Sequence, residues 1–377
     1  MMFAKIIKVL ISIIVITLII VIVVAVIFLN TSPQFGDQPT KEQLTQYAAA
    51  ENFIDGKFQN QLPSDMEVNY GKWLSKILEK DPTRQPGKKL VPQKIDSVAI
   101  ASLAVDSTRM TWFGHSAFLL EMSGKKILID PMLGVSPSPI SMLGTKRYSD
   151  ELPISIRDLP RIDAVIISHD HYDHLDYESI CLLKDKTDQF FVPLGVESHL
   201  IKWGVTTDKI KALKWGDDSS LDAIKLICVP ARHFSGRGLF DRYQTLWCGW
   251  VIQNEKDNIL FTGDSGYGAH FVEIGKQYGP FDLALTECGQ YNEDWKFIHM
   301  MPEETAQVAV DVSAKLLMPI HWGAFTLAFH SWTDPVERVC AKAEELGVSV
   351  ITPQIGEPFG LYPQESQWRS PWWRAYQ

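Results

Sequence analysis

Ile166-Ile167-Ser168-His169-Asp170-His171-Tyr172-Asp173-His174-Leu175-Asp176 places four candidate metal ligands just beyond an apolar run. Such a run reads as a buried strand, here 164–168, and the polar stretch after it as the loop leaving the strand. In that loop His169 and His171 project to one side and converge on one cation, while Asp173 and His174 turn toward a second position nearby. Imidazole suits zinc, and a carboxylate beside it favours a hard, hydrolytic divalent metal over a soft redox one.

Three more candidates stand at the ends of other strand-like runs. His233 follows Cys228-Val229-Pro230-Ala231-Arg232, Asp264 follows Leu260-Phe261-Thr262-Gly263, and His321 follows Met318-Pro319-Ile320. Gly263 and Gly266 let the backbone bend around Asp264, whose two oxygens can bridge both cations. A single His at a strand end is ordinarily a satisfied polar residue, and His199, His270 and His330 are read that way. Alongside the His169 loop, His233, Asp264 and His321 instead complete a two-metal site. Asp176 reads as a helix-start residue that also orients a ligating His. His115, in Thr111-Trp112-Phe113-Gly114-His115-Ser116, stays open between supporting the site and packing in the core.

The surrounding pattern gives the domain order. Residues 9–29 are apolar apart from Ser12 and Thr17, and as a helix they span about 32 Å, enough for a bilayer core of about 30 Å. Lys5 and Lys8 precede this anchor and residues 30–40 carry no Lys or Arg, so residues 1–8 are expected in the cytoplasm and the rest outside it, in the periplasm. Residues 30–106 are rich in Pro and polar residues and read as a stalk that wraps back, with helices near 41–53 and 70–79. Residues 107–363 read as one catalytic domain. Strands are expected at 110–113, 117–121, 126–129, 190–193, 224–229, 246–252, 259–262, 283–286 and 316–320. Helices are expected at 175–184, 196–203, 270–278, 302–314 and 334–346. A β-rich first third giving way to alternating strands and helices is a layered α/β domain. The tail 364–377 carries Trp368, Trp372 and Trp373 with Arg369 and Arg374, a composition that fits either a membrane interface or packing on the domain.

With 377 residues, 46% hydrophobic, the chain can bury a large core, and a net charge of −9 without a basic block argues against nucleic acid as a partner. Its 5 cysteines are odd in number and never in CxxC spacing, so they read as buried thiols rather than a disulfide framework or zinc ribbon.

The order H-x-H-x-D-H, His, Asp, His resembles the metallo-β-lactamase fold, an αββα sandwich with a dinuclear zinc site at the edge between two sheets. Thr111 to His115, Ser168 to Asp176, Phe191 to Gly195, Thr262 to Tyr267, Gly279 to Ala284 and Ile320 to Phe325 further resemble the N-acylphosphatidylethanolamine-hydrolysing phospholipases D and their bacterial relatives. That resemblance implies two Zn2+ per chain. His169, His171 and His233 would hold the first, Asp173, His174 and His321 the second, and Asp264 would bridge them. It also implies a phospholipid substrate cleaved by metal-activated hydroxide, with Asp173 orienting the nucleophile and Tyr267 or His299 assisting the leaving oxygen. The sequence departs from the family at Ile298, where a Gln is expected before His299, which bears on head-group contacts. The alternatives are a zinc lactonase or phosphodiesterase for small soluble esters, and a non-catalytic envelope protein with structural metals.

Overall fold

The computed structural model describes residues 2–66, 70–101, 106–362 and 370–377. It opens with helix α1 (Met2–Thr31), whose apolar side chains from Val9 to Ile27 are exposed along its length. The helix is long and apolar enough to cross a membrane. Short helices α2 (Lys41–Tyr47), α3 (Tyr70–Leu78) and α4 (Ser97–Ala101) follow, with a small hairpin, β1 (Phe53–Ile54) and β2 (Lys57–Phe58), between the first two. The expected helix 41–53 stops early because Asp55 and Gly56, at φ of 52° and 78°, form the Asp-Gly turn that hairpins favour.

The main body has two sheets. The first runs β15-β3-β4-β5-β6-β7-β8, comprising β3 (Arg109–Trp112), β4 (Phe118–Met122), β5 (Lys125–Ile129), β6 (Ile162–Ile166), β7 (Thr187–Pro193), β8 (Ile210–Leu213) and β15 (Pro358–Gly360). The second runs β14-β13-β12-β11-β10-β9, comprising β9 (Asp218–Leu221), β10 (Ile224–Val229), β11 (Gly249–Gln253), β12 (Asn258–Phe261), β13 (Phe281–Glu287) and β14 (Ala314–Ile320). In each sheet antiparallel pairs give way to parallel ones: β5 to β8 in the first, β12 to β14 in the second. Parallel strands need crossover connections, and these are supplied by α5 (Tyr177–Leu183), α6 (Val196–Lys202), α7 (His270–Tyr278) and α8 (Pro302–Asp311), with α9 (Asp334–Leu346) packed against α8.

Side-chain alternation builds the layers. Ile127 and Ile129 point into the core between the sheets with Trp250 and Phe261, while Leu128 between them points outward onto Ile180 and Leu183 of α5. On the far side Val251 and Leu260 meet Phe271 of α7 and Val308 of α8. The result is an αββα sandwich with core on both faces of both sheets, which is why its central strands read as continuous apolar runs.

Three strands carried no pattern in the sequence. β9 is polar and lies at an edge, β15 is three residues long, and β8 pairs only with β7. Expected strand 246–252 begins only at Gly249, because the backbone N–H groups of Leu246 and Cys248 donate across to Leu194 and Ser168 in the other half of the sandwich. Of the cysteines, Cys228, Cys248 and Cys288 are buried, whereas Cys181 and Cys340 are only half-buried; all five are free thiols.

Two terminal segments lie on the body. Tyr47 and Phe58 are buried against Ala231 and Trp247. The tail resolves in favour of packing: Trp372 and Trp373 are 7% and 2% exposed and stack among Trp112, Trp322 and Trp332. Trp373 and Arg374 also donate to Glu337 of α9. Trp368 and Arg369 lie outside the described residues. Trp372→Ala is expected to cost about 3–5 kcal/mol and to lower the melting temperature of the detergent-solubilised protein. An unchanged melting temperature would contradict the burial of this ring.

Candidate metal centre

Every element that delivers a candidate ligand does so from the carboxyl end of a strand. β5 ends at Asp130, whose buried carboxylate accepts from the Ser168 backbone N–H at 2.7 Å and from its hydroxyl at 2.5 Å. These bonds pull the chain out of β6 two residues earlier than its apolar run predicts and start the ligand loop. Asp130 Oδ2 also accepts from His174 Nδ1 at 2.7 Å, and Ser168 Oγ lies 2.9 Å from His169 Nδ1. Because the Ser168 hydroxyl proton is committed to Asp130, its oxygen accepts from His169 Nδ1–H. The Nε2 atoms of both histidines therefore face inward.

On the second sheet, His233 donates from Nδ1 to the Ile298 carbonyl at 2.8 Å, which again leaves Nε2 facing inward. Its backbone is clasped by Asn60, which accepts from the His233 N–H at 3.1 Å and donates to its carbonyl at 2.7 Å. Gly263 turns the chain after β12 at φ 58°, where a Cβ would stand 2.7 Å from the Cys248 carbonyl oxygen. Only glycine fits there, and Asp264 is thereby aimed at the cluster. His115 and His321 both have positive φ, 57° and 69°, and each holds the other in place. His321 N–H donates to the His115 carbonyl at 3.0 Å, and His115 N–H donates to the Trp322 carbonyl at 2.8 Å. Such conformations cost on the order of 1–3 kcal/mol each and persist where surrounding contacts enforce them.

The side chains form two nests that share Asp264. His169 Nε2 and His233 Nε2 lie 3.0 and 3.1 Å from His171 Nδ1. Asp264 Oδ2 is 3.9 Å from His169 Nε2, 3.8 Å from His233 Nε2 and 3.2 Å from His174 Nε2. Asp264 Oδ1 is 3.1 Å from His321 Nδ1, and Asp173 Oδ2 is 3.6 Å from His174 Nε2 and 3.8 Å from His321 Nε2. His171, Asp173 and His299 are half-buried and form the mouth; the other ligands are sealed.

This donor set fits bound cations. His174 Nε2 and Asp264 Oδ1 are buried without a hydrogen-bond partner among the described residues, although they lie in a cluster of histidines and carboxylates. Burial and neighbouring imidazoles hold His169, His233 and His321 well below the usual histidine range, and burial takes His171 down to about 4. With Nδ1 of His169 and of His233 engaged elsewhere, their Nε2 atoms converge with His171 Nδ1 about 3 Å apart, the arrangement of three neutral imidazoles that can hold one cation. Burial pushes Asp264 up to about 6, the strain expected of a carboxylate without its counter-ions.

All seven expected ligands are brought together, and His299 stands beside them, its ring 5.0 Å from His233 and 5.4 Å from His321. Tyr267 is not: its hydroxyl donates to Asp311 at 2.6 Å and its ring packs beside Phe271 in the outer helical layer. Asp176 caps α5 by accepting from the Ser179 N–H at 2.9 Å, and the orienting of a ligating His falls to Asp130 instead. His115 supports the site, donating from Nε2 to Asp173 at 2.8 Å. Ile298 contributes its carbonyl to His233, a role that any side chain permits. His199 is satisfied, bonded to the Asp37 N–H at 3.1 Å and to Asp170 at 3.3 Å.

Sequence reasoning missed Asp130, Glu287 and Asn60. Glu287 is buried, lies 2.8 Å from His299 Nδ1 and accepts from the Met300 N–H at 2.6 Å, and burial raises it well above the usual carboxylate range. A carboxylate directly after an apolar run, as in Leu128-Ile129-Asp130 and Ala284-Leu285-Thr286-Glu287, was the available signal for the first two. Asn60 lies in a polar stretch with no pattern.

A family described as the beta-lactamase superfamily domain matches residues 125–322. The chain belongs to this superfamily. Among superfamily relatives, an uncharacterized protein of Mycobacterium tuberculosis is 40% identical over 86% of this chain and 87% of its own length. An N-acyl-phosphatidylethanolamine-hydrolyzing phospholipase D of Caenorhabditis elegans is 34% identical over 66% of this chain and 74% of its own length. The fold matches isothiocyanate hydrolase from Delia radicum gut bacteria with a TM-score of 0.53 at 21% identity, over 67% of this chain and 100% of that one. The protein is thus a metal-dependent hydrolase of the superfamily, related to the N-acyl-phosphatidylethanolamine-hydrolyzing phospholipases D. Asp130→Asn should remove the orienting partner of His174 and weaken metal binding about 10–100-fold. Competition with a chromophoric chelator measures this, and unchanged affinity would refute the orienting role.

Proposed function

We propose that the chain is a membrane-anchored zinc phosphodiesterase that cleaves N-acylphosphatidylethanolamine-type phospholipids into phosphatidic acid and an N-acylethanolamine. The observation that carries this reading is the pair of ligand nests sharing Asp264, open to solvent on the side of His171, Asp173 and His299. The relatives from Caenorhabditis elegans and Saccharomyces cerevisiae that are named for this hydrolysis, at 34% and 30% identity, supply the substrate class.

Two divalent ions held in these nests would lower the pKa of a shared water to about 7 and polarise the phosphoryl oxygens. Asp173, steadied by His115, orients the attacking water at the mouth. Water adds to phosphorus, the phosphorus–oxygen bond to the ethanolamine breaks, and the proton from water ends on that departing oxygen. His299 stands where such a proton can be delivered. Burial holds the Glu287 carboxyl well above the usual carboxylate range and Glu287 lies 2.8 Å from His299 Nδ1; a proton donated there leaves the proton of His299 Nε2 facing the leaving group. Helix α1 keeps this machinery next to a water-insoluble substrate.

Full-length protein in vesicles containing N-acylphosphatidylethanolamine should release phosphatidic acid and N-acylethanolamine, and lose this activity on chelation and regain it with zinc. Faster turnover of a soluble lactone or ester than of the phospholipid would overturn the proposal. His299→Ala is expected to lower kcat about 100-fold or more, while Tyr267→Phe stays near wild type; the reverse order in steady-state kinetics would reassign the proton donor. A reporter fused after Gln377 should be active only outside the cytoplasm, with Lys5 and Lys8 holding the amino terminus inside.

A further inference from the structure

Just beyond His233 the chain makes a turn that leaves two large apolar side chains in solvent: Leu239 is 70% exposed and Phe240 89%. Apolar side chains held together on a surface mark a contact site rather than chance when the backbone that presents them is fixed. This backbone is fixed. Asp241 accepts from the N–H of Arg237 at 3.0 Å and from that of Gly238 at 2.9 and 2.8 Å. Arg237 in turn donates to the carbonyls of Gln34 and Leu175, each at 2.8 Å, and to that of Asp170. The turn is therefore tied on one side to the chain leaving α1 and on the other to the ligand loop.

The same turn faces α1 itself. Gly238, Leu239 and Phe240 line a cleft of about 550 Å3 together with Val26, Leu29 and Phe35. Val26 and Leu29 belong to the last turns of the apolar stretch 9–29, so Leu239 and Phe240 stand level with the end of the candidate span. A helix that crosses a hydrocarbon core of about 30 Å brings its last apolar turn to the boundary between acyl chains and head groups. At the base of the same loop, Phe234 lies 4.4 Å from the His171 ring and 4.9 Å from the His233 ring. The exposed pair is thus joined through one short loop to the mouth of the metal centre.

We infer that Leu239 and Phe240 enter the same bilayer that α1 crosses, at the acyl–head-group boundary, as a second membrane contact that holds the mouth of the metal centre against the lipid surface. This rests on α1 being a membrane anchor, as proposed above. Asp241 does not oppose entry, because its carboxylate is turned inward onto the backbone of its own loop. With the second contact in place the domain cannot swing freely about the stem after α1, and the cluster faces lipid instead of bulk water.

The test uses the full-length protein in phosphatidylcholine vesicles, with Cys181→Ser and Cys340→Ser and one new cysteine at a time carrying an environment-sensitive fluorophore: Phe240→Cys, Leu239→Cys, Val15→Cys or Glu345→Cys. Labels at 240 and 239 should show blue-shifted emission and be quenched more by lipids brominated near the head group than by those brominated at the chain ends. The label at 15 should be quenched as a bilayer-embedded site, and that at 345, an exposed position of α9, should remain water-like. Water-like emission at both 239 and 240 with an embedded 15 would overturn the second contact and leave the anchor standing. Water-like emission at 15 would remove the anchor, and the inference with it.

Discussion

The buried carboxylate of Asp130 is the constraint on which the site depends. A carboxylate sealed inside a protein is costly unless its oxygens are matched by donors, and here the donors are the Ser168 backbone, the Ser168 hydroxyl and His174. Matching them ends β6, starts the ligand loop, and sets the inward-facing nitrogens of His169 and His174 in one move. Two of the candidate metal ligands thus owe their direction to a residue outside the candidate ligand set.

The second sheet answers with a different device. Its ligands leave β10, β12 and β14 at one edge of the sandwich, because parallel strands all send their carboxyl ends the same way. The two halves are then stitched by backbone bonds from His321 to the His115 carbonyl and from His115 to the Trp322 carbonyl, with both histidines in the left-handed region. Strain is stored where the two sheets meet, and that meeting place is where Asp264 stands between the nests.

The early part of the chain contributes more than a long apolar helix. Asn60 clasps the backbone of His233, Asp37 binds His199 behind the ligand loop, and Gln34 accepts from Arg237. The segment between α1 and the sandwich is built into the support of the metal centre, so the position of the helix end and the orientation of the cluster are mechanically linked.

The local pattern of the chain by itself determined the candidate ligand set, the long apolar helix and most of the central strands. His169, His171, Asp173 and His174 are close in sequence, and runs such as Ile127 to Ile129 are buried on both faces, so short-range composition carries the information. Only the tertiary structure decided the rest. The roles of Asp130, Glu287 and Asn60 depend on partners 38, 12 and 173 residues away. Tyr267 sits three residues after Asp264 yet turns to Asp311, since the chain reverses direction at the glycines around that aspartate. Trp372 and Trp373 had a composition that fitted either a membrane contact or packing, and they packed on the domain, while the apolar pair beside α1 lies in a loop whose sequence pattern carries no membrane signal. Which apolar residues are covered depends on what the fold brings over them, and no periodicity within the chain encodes that.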